Sequence, residues 1–169
     1  VPADVRIETY VRAKTMEAIE ATHKKVDTAL KAGGDAVGAQ TVIATMPGQL
    51  PLACNNRLNE LFVTNAKIAE PNVAVKDAGH FSASTDMGDV SHLLPVIHPF
   101  IGGVDGFLHT ADFHVVDFKH AVLLPAKAFA MMIIDLLADD AELARQIKTE
   151  HHPLLTKEEY IAKLDKYFQ

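Results

Sequence analysis

Three groups of residues have the types and spacing to do chemistry. Ser84-Thr85-Asp86-Met87-Gly88-Asp89, followed by Ser91 and His92, sets two carboxylates three residues apart among hydroxyls and a glycine. That set suits a site loop or a helix N-terminus. Ser and Asp are the usual N-cap residues, so a capped turn is the simpler reading. The second group is Leu108-His109-Thr110-Ala111-Asp112-Phe113-His114. Neutral imidazole is the commonest metal ligand, and a histidine after a glycine-rich loop is well placed to reach a cleft. Yet His109 and His114 stand five apart, not the four of one helical face, and no HExxH or paired-cysteine pattern accompanies them. One histidine cannot hold zinc, so spacing alone favours a hydrogen-bonded loop histidine. His151-His152, just before Pro153, reads as a solvated turn. The third group centres on Arg12, which shares a strand face with Arg6 and Tyr10. A guanidinium fork pairs with a carboxylate bidentately, although on an isolated strand a surface arginine is the simpler reading.

The elements that must position these residues follow from periodicity. Val5, Ile7, Thr9, Val11 and Ala13 alternate with Arg6, Glu8, Tyr10, Arg12 and Lys14, the pattern of a strand with one covered face. Met16, Ile19, Val26, Ala29 and Leu30 then fall near a 3.6 period, and Gly33-Gly34 is the expected helix stop. Residues 40–46 are β-branched and predict a second strand. Residues 46–56 carry two prolines, a glycine and two asparagines, the best linker in the chain. A helix with Leu58, Leu61, Phe62 and Ile68 on one stripe is expected to end at Pro71. Short strands are expected at 73–75 and 96–101, with a small, polar segment over 79–95 between them. After the loop 104–117, the apolar run 121–138 predicts a buried helix capped by Asp117 and kinked at Pro125. It is about long enough to span a bilayer but carries Pro125, Lys127 and Asp135. Two amphipathic helices close the chain, the second opened by a Thr156/Glu159 capping box.

Composition narrows the function classes. The 169 residues are 49% apolar and 22% charged, the balance of a soluble globular chain. A net charge of -6 argues against nucleic acid as partner, since phosphate binding needs a basic face. One cysteine, Cys54, excludes an intrachain disulfide and fits a reducing, cytoplasmic compartment. The first residues are charged throughout, which is not the pattern of a secretory signal.

Taken in order, residues 1–15 (VPADVRIETYVRAKT), 84–95 (STDMGDVSHLLP) and 108–110 (LHT) resemble the C-terminal part of a zinc-dependent amidohydrolase of the aminoacylase and carboxypeptidase G superfamily. Within it, the chain looks most similar to the aminobenzoyl-glutamate hydrolase subgroup. STDMGDVS is the most specific stretch, and the last twenty or so residues are not covered. The resemblance implies an α/β fold: residues 1–50 as the C-terminal half of an α/β-sandwich lid that makes a dimer, and 51–169 as the C-terminal part of a zinc-peptidase-like catalytic domain. The linker lies at that crossing.

Residue by residue, the resemblance makes His109 the family's last metal ligand and Arg12 the lid arginine that holds the substrate carboxylate. Ser84, Thr85 and Asp86 match a substrate-binding Ser-Glu-Asp motif, with threonine in place of glutamate. The intact enzyme is expected to hold two divalent ions, zinc by family, and to cleave amide bonds of N-acyl amino acids or aminobenzoyl-glutamate-type substrates. The other ligands, the catalytic glutamate and the lid histidine are expected upstream. No catalytic residue is therefore expected in these 169 residues, and the chain alone is expected to be inactive. The expected partners are a small amide or peptide substrate and a second copy in a homo-oligomer, not a membrane. The alternatives are a non-catalytic dimerisation protein of the same descent and one subunit of a split hydrolase.

Overall fold

A computed structural model describes residues 2–77, 79 and 83–166. His80, Phe81 and Ser82 of the small, polar segment lie outside them. Thr15 starts the first helix, α1 (Met16–Ala36), its hydroxyl accepting from the Ala18 amide at 3.3 Å. Gly33-Gly34 does not stop it. The helix runs through both glycines to Val37, and Gly38 supplies the left-handed exit at φ 70°. The Ala39 amide then bonds to the Gly34 carbonyl at 2.9 Å and the Gly38 amide to the Asp35 carbonyl at 3.1 Å, the double closure of a glycine-ended helix. Gly34 answers to packing instead: a β-carbon there would lie 1.9 Å from Thr41 Oγ1, because the chain leaving α1 folds back on its last turn.

The expected strands at 5–13, 40–46, 73–75 and 96–101 join no ladder among the described residues. Strand composition cannot supply the hydrogen-bonding partner that makes a strand. The period of two survives in burial: Val11 and Ala13 are half-buried on one side of α1 in sequence, Thr41 and Ile43 on the other. Sheet structure among the described residues is one antiparallel pair, β1 (Val104–Asp105) and β2 (His114–Val115), with Val104 opposite Val115.

The core lies between α2 (Asn56–Ala69) and α4 (Leu124–Glu150). Asn55 caps α2, its Oδ1 accepting from the Leu58 amide at 3.0 Å. Leu58, Met132 and Ile147 are buried, with Leu61, Phe62, Ile97, Leu136 and Leu143 around them. The rings of Phe62 and Phe129 meet at 4.8 Å. The stripe on α2 differs from the expected one at its end. Ile68 is exposed, and the buried positions are Asn65 and Ala66. Asn65 Nδ2 donates to Asp135 Oδ2 at 2.7 Å, so the carboxylate inside the apolar run is a partner across the helix pair.

The kink expected at Pro125 falls elsewhere: a π turn, Lys119–Leu123, leads into α4 with Pro125 in its first turn, and the break in the helix comes at Ala138–Ala141. A proline lacks only an amide that the first turn leaves unpaired anyway. Asp117 does cap this start, its Oδ1 accepting from the His120 amide at 3.2 Å. The apolar part of α4 ends where expected. Ala138 to Ala141 leave helical geometry, with Asp139, Asp140 and Ala141 all at positive φ, before the polar turns resume. α5 (Lys157–Asp165) carries the full Thr156/Glu159 capping box.

Candidate functional site

The motif at 84–92 builds a short helix, α3 (Met87–Ser91), pressed on the chain at 49–55. A β-carbon on Gly88 would lie 1.9 Å from the Leu50 carbonyl oxygen, so only glycine fits. Ser91 Oγ accepts from the Ala53 amide at 3.0 Å and donates to the Gly88 carbonyl at 2.5 Å. The His92 ring donates from Nε2 to the Pro51 carbonyl at 2.9 Å. Gly88, Ser91 and His92 are buried. The proline-rich segment read as a linker is therefore pinned by the motif that follows it.

The tail holds the other side. The Leu155 amide bonds to the His92 carbonyl at 3.0 Å, and the Tyr160 hydroxyl donates to Asp89 Oδ1 at 3.3 Å. Burial, with the Asp89 charge beside it, pushes the Tyr160 hydroxyl above its ordinary range.

What remains for a ligand is the start of the motif. Ser84 and Asp86 are exposed and Thr85 is half-buried. Asp86 accepts from Gln49 Nε2 and makes no side-chain cap to α3. Thr85 Oγ1 lies 3.4 Å from His98 Nε2. His98 Nδ1 is buried with no hydrogen-bond partner among the described residues. His98 is not among the residues singled out from the sequence; the signal for it is a histidine in the apolar segment that follows the motif.

His109 stands on the loop between β1 and β2. It is exposed and holds φ 65°, in the left-handed region that favours glycine. The turn around it is fixed by Thr110, whose hydroxyl donates to the Phe107 carbonyl at 2.6 Å, and by Gly106 at φ 88°, where a β-carbon would meet the Asp112 carbonyl oxygen at 2.5 Å. His114 is tied down instead, its Nδ1 donating to the Asp112 carbonyl at 2.6 Å. At the foot of the hairpin, His120 Nδ1 meets Asp117 Oδ2 at 2.5 Å and holds the Asp117 carboxyl below its ordinary range. Arg12 is exposed, its guanidinium 5.1 Å from the Tyr10 ring centre.

Among the described residues, no hydrogen bond or ion pair joins His109 to residues 84–86, and no group of three His, Cys, Asp or Glu side chains could hold a metal ion. The described residues do not fit a complete zinc site. Elsewhere, a cleft of about 390 Å³ between the start of α2 and the end of α4 is lined by Cys54, Asn55, Arg57, His151 and His152. His151, expected in a solvated turn, is half-buried there, with Nε2 shielded and without a hydrogen-bond partner among the described residues.

The chain is similar to a dipeptidase. Over 151 residues, 85% of this chain, it is 28% identical to a Xaa-Arg dipeptidase of Mus musculus. It spans about a third of that protein's length, 35%. No family model and no solved structure matches it. The likeness supports a role of peptidase or amide-hydrolase type.

Proposed function

We propose that this chain is the C-terminal part of an amide-bond hydrolase that releases an amino acid with a free carboxylate from a dipeptide or an N-acyl amino acid. The observation that carries the reading is the likeness to a dipeptidase over 85% of the chain. The geometry is compatible with it. His109 is exposed on a hairpin tip whose backbone is held by Thr110 and Gly106, so its imidazole is available to a centre completed elsewhere. Its place on the chain is the one the resemblance gives to a metal ligand, and any further ligands come from outside the described residues. Arg12 stands beside the Tyr10 ring in the place the resemblance gives to the lid arginine, and a guanidinium is the group best suited to grip a substrate carboxylate. Ser84 and Asp86 present polar groups on the open side of α3. The lid-like unit, residues 1–50, supplies the self-association surface, and the compartment is cytoplasmic.

The test uses the chain alone and the chain joined to, or assembled with, the polypeptide matching the rest of the dipeptidase. Each is given dipeptides and N-acyl amino acids with free or amidated C-termini, and released amine is counted. The assembled protein is expected to cleave the free-carboxylate forms, and the chain alone none. An assembled protein that releases no amine overturns the reading.

A further inference from the structure

α4 has two apolar faces. One, through Met132 and Leu136, packs with Leu58, Leu61 and Phe62 of α2. The other carries Ile133, Ile134 and Leu137, which are 54, 67 and 63% exposed. A helix apolar on all sides belongs inside a core, and single-chain proteins rarely leave such a patch open. The described residues cover one side only.

Three occupants could cover the second face. A bilayer is the first, since Lys119–Glu150 is long and apolar enough to cross a membrane by length and composition. But Asp135 is bonded to Asn65, so α4 travels with α2, and α2 brings Arg57, Glu60 and Lys67. Taking that pair into hydrocarbon is costly at every one of those charges. A second copy is the next. A second copy held through residues 1–50 and a two-fold contact on one helix face still leaves Phe107 and Leu108 exposed on the hairpin loop. The third is a larger protein body. The matched dipeptidase has nearly two thirds of its length beyond the aligned part, because the chain covers 35% of it. Residues 96–101 also lack a ladder, and Ile97 borders the same α2–α4 cluster, so a body that brings a strand would serve both needs.

We infer that the exposed face of α4 is an interface with the polypeptide corresponding to the rest of that dipeptidase, in the same chain or a separate one. The identity of this occupant rests on the hydrolase reading above; the existence of the face rests on α4 alone.

A photo-crosslinking residue, p-benzoylphenylalanine, replaces Ile134 in one variant, Leu137 in a second and Glu60 in a third. Each protein is irradiated in the cells that make it, and the adducts are mapped by mass spectrometry. The exposed positions leave the α2–α4 contacts in place, and far-ultraviolet circular dichroism checks the fold of each variant. Positions 134 and 137 are expected to form adducts with hydrolase peptides that align outside the matched third of the dipeptidase, and position 60 none. An adduct with unchanged chain mass marks a continuous polypeptide, and added mass marks a separate one. Adducts joining α4 to α4 of a second copy, adducts with phospholipid, adducts with a non-hydrolase protein, or none at either position overturn the inference. Adducts to the hydrolase body in a protein that cleaves no amide overturn only the functional reading.

Discussion

At position 109 a histidine occupies backbone space that glycine would fill more easily. A left-handed conformation costs an L-residue roughly 1–2 kcal/mol, and the hairpin meets that cost to hold an exposed imidazole at its tip. The residue type was legible in the sequence, and spacing alone made it an ordinary loop histidine. What spacing could not show was the conformation, which comes from Thr110 and Gly106 closing the turn. The same limit applied to His98, whose contact with Thr85 joins residues thirteen apart in sequence. Arg12 carries the sharpest residue-scale prediction. In the assembled enzyme, Arg12→Ala is expected to raise KM for free-carboxylate substrates by about tenfold or more, the loss of a charge-assisted bond of roughly 1.5–3 kcal/mol. KM for the amidated analogues is expected to stay unchanged. An equal rise for both sets, measured by steady-state kinetics, contradicts the carboxylate grip.

The elements divide by how local their causes are. Thr15, Asn55, Asp117 and Thr156 cap helix starts through bonds to residues within a few positions, and the Asp117 cap and the Thr156/Glu159 box are expected from the chain alone. The strands are not readable in that way, because a ladder needs a partner distant in sequence, and the described residues provide one only for β1 and β2. The motif at 84–92 falls between. Its small residues were visible, but their purpose, contact with the backbone of residues 50–53, was not. Gly88→Ala is therefore expected to destabilise the chain by roughly 1–3 kcal/mol through overpacking against Leu50, read as a fall in the urea midpoint. A midpoint that stays or rises contradicts the packing described.

Acid sensitivity belongs to the same scale. Lys119 holds the Glu70 carboxyl below its ordinary range, His120 does so for Asp117, and the Thr156 amide and hydroxyl do so for Glu159. Each group binds a proton more weakly folded than unfolded. Its contribution is full above the ordinary carboxylate pKa of about 4 and is lost as pH falls through the lowered folded value. Lys119 is raised by Glu70, so its share is full below the ordinary lysine pKa and is lost as pH rises through the folded value. Tm is expected to fall as pH drops below about 4, and to fall less steeply in Asp117→Asn, which keeps an acceptor for the His120 amide without the charge. Parallel acid slopes in the two proteins contradict this assignment.

At the scale of the molecule, the α2–α4 pair is the packed centre, and much of the remaining apolar surface stays open. Val5, Ile7, Val42, Phe107 and Leu108 are exposed together with the outer face of α4. Sequence hydropathy identified α4 as a buried helix, and it is half of one, because burial depends on what lies against each face and periodicity reports only that a face is apolar. On the proposed function, the chain contributes one ligand, His109, to a hydrolase centre. One measurement addresses that most directly: metal content and dipeptide hydrolysis of the assembled protein carrying His109→Ala or His114→Ala. The account predicts that His109→Ala abolishes hydrolysis and lowers bound metal, while His114→Ala, whose ring is tied to the Asp112 carbonyl, retains both. Full activity and full metal content in His109→Ala would contradict it.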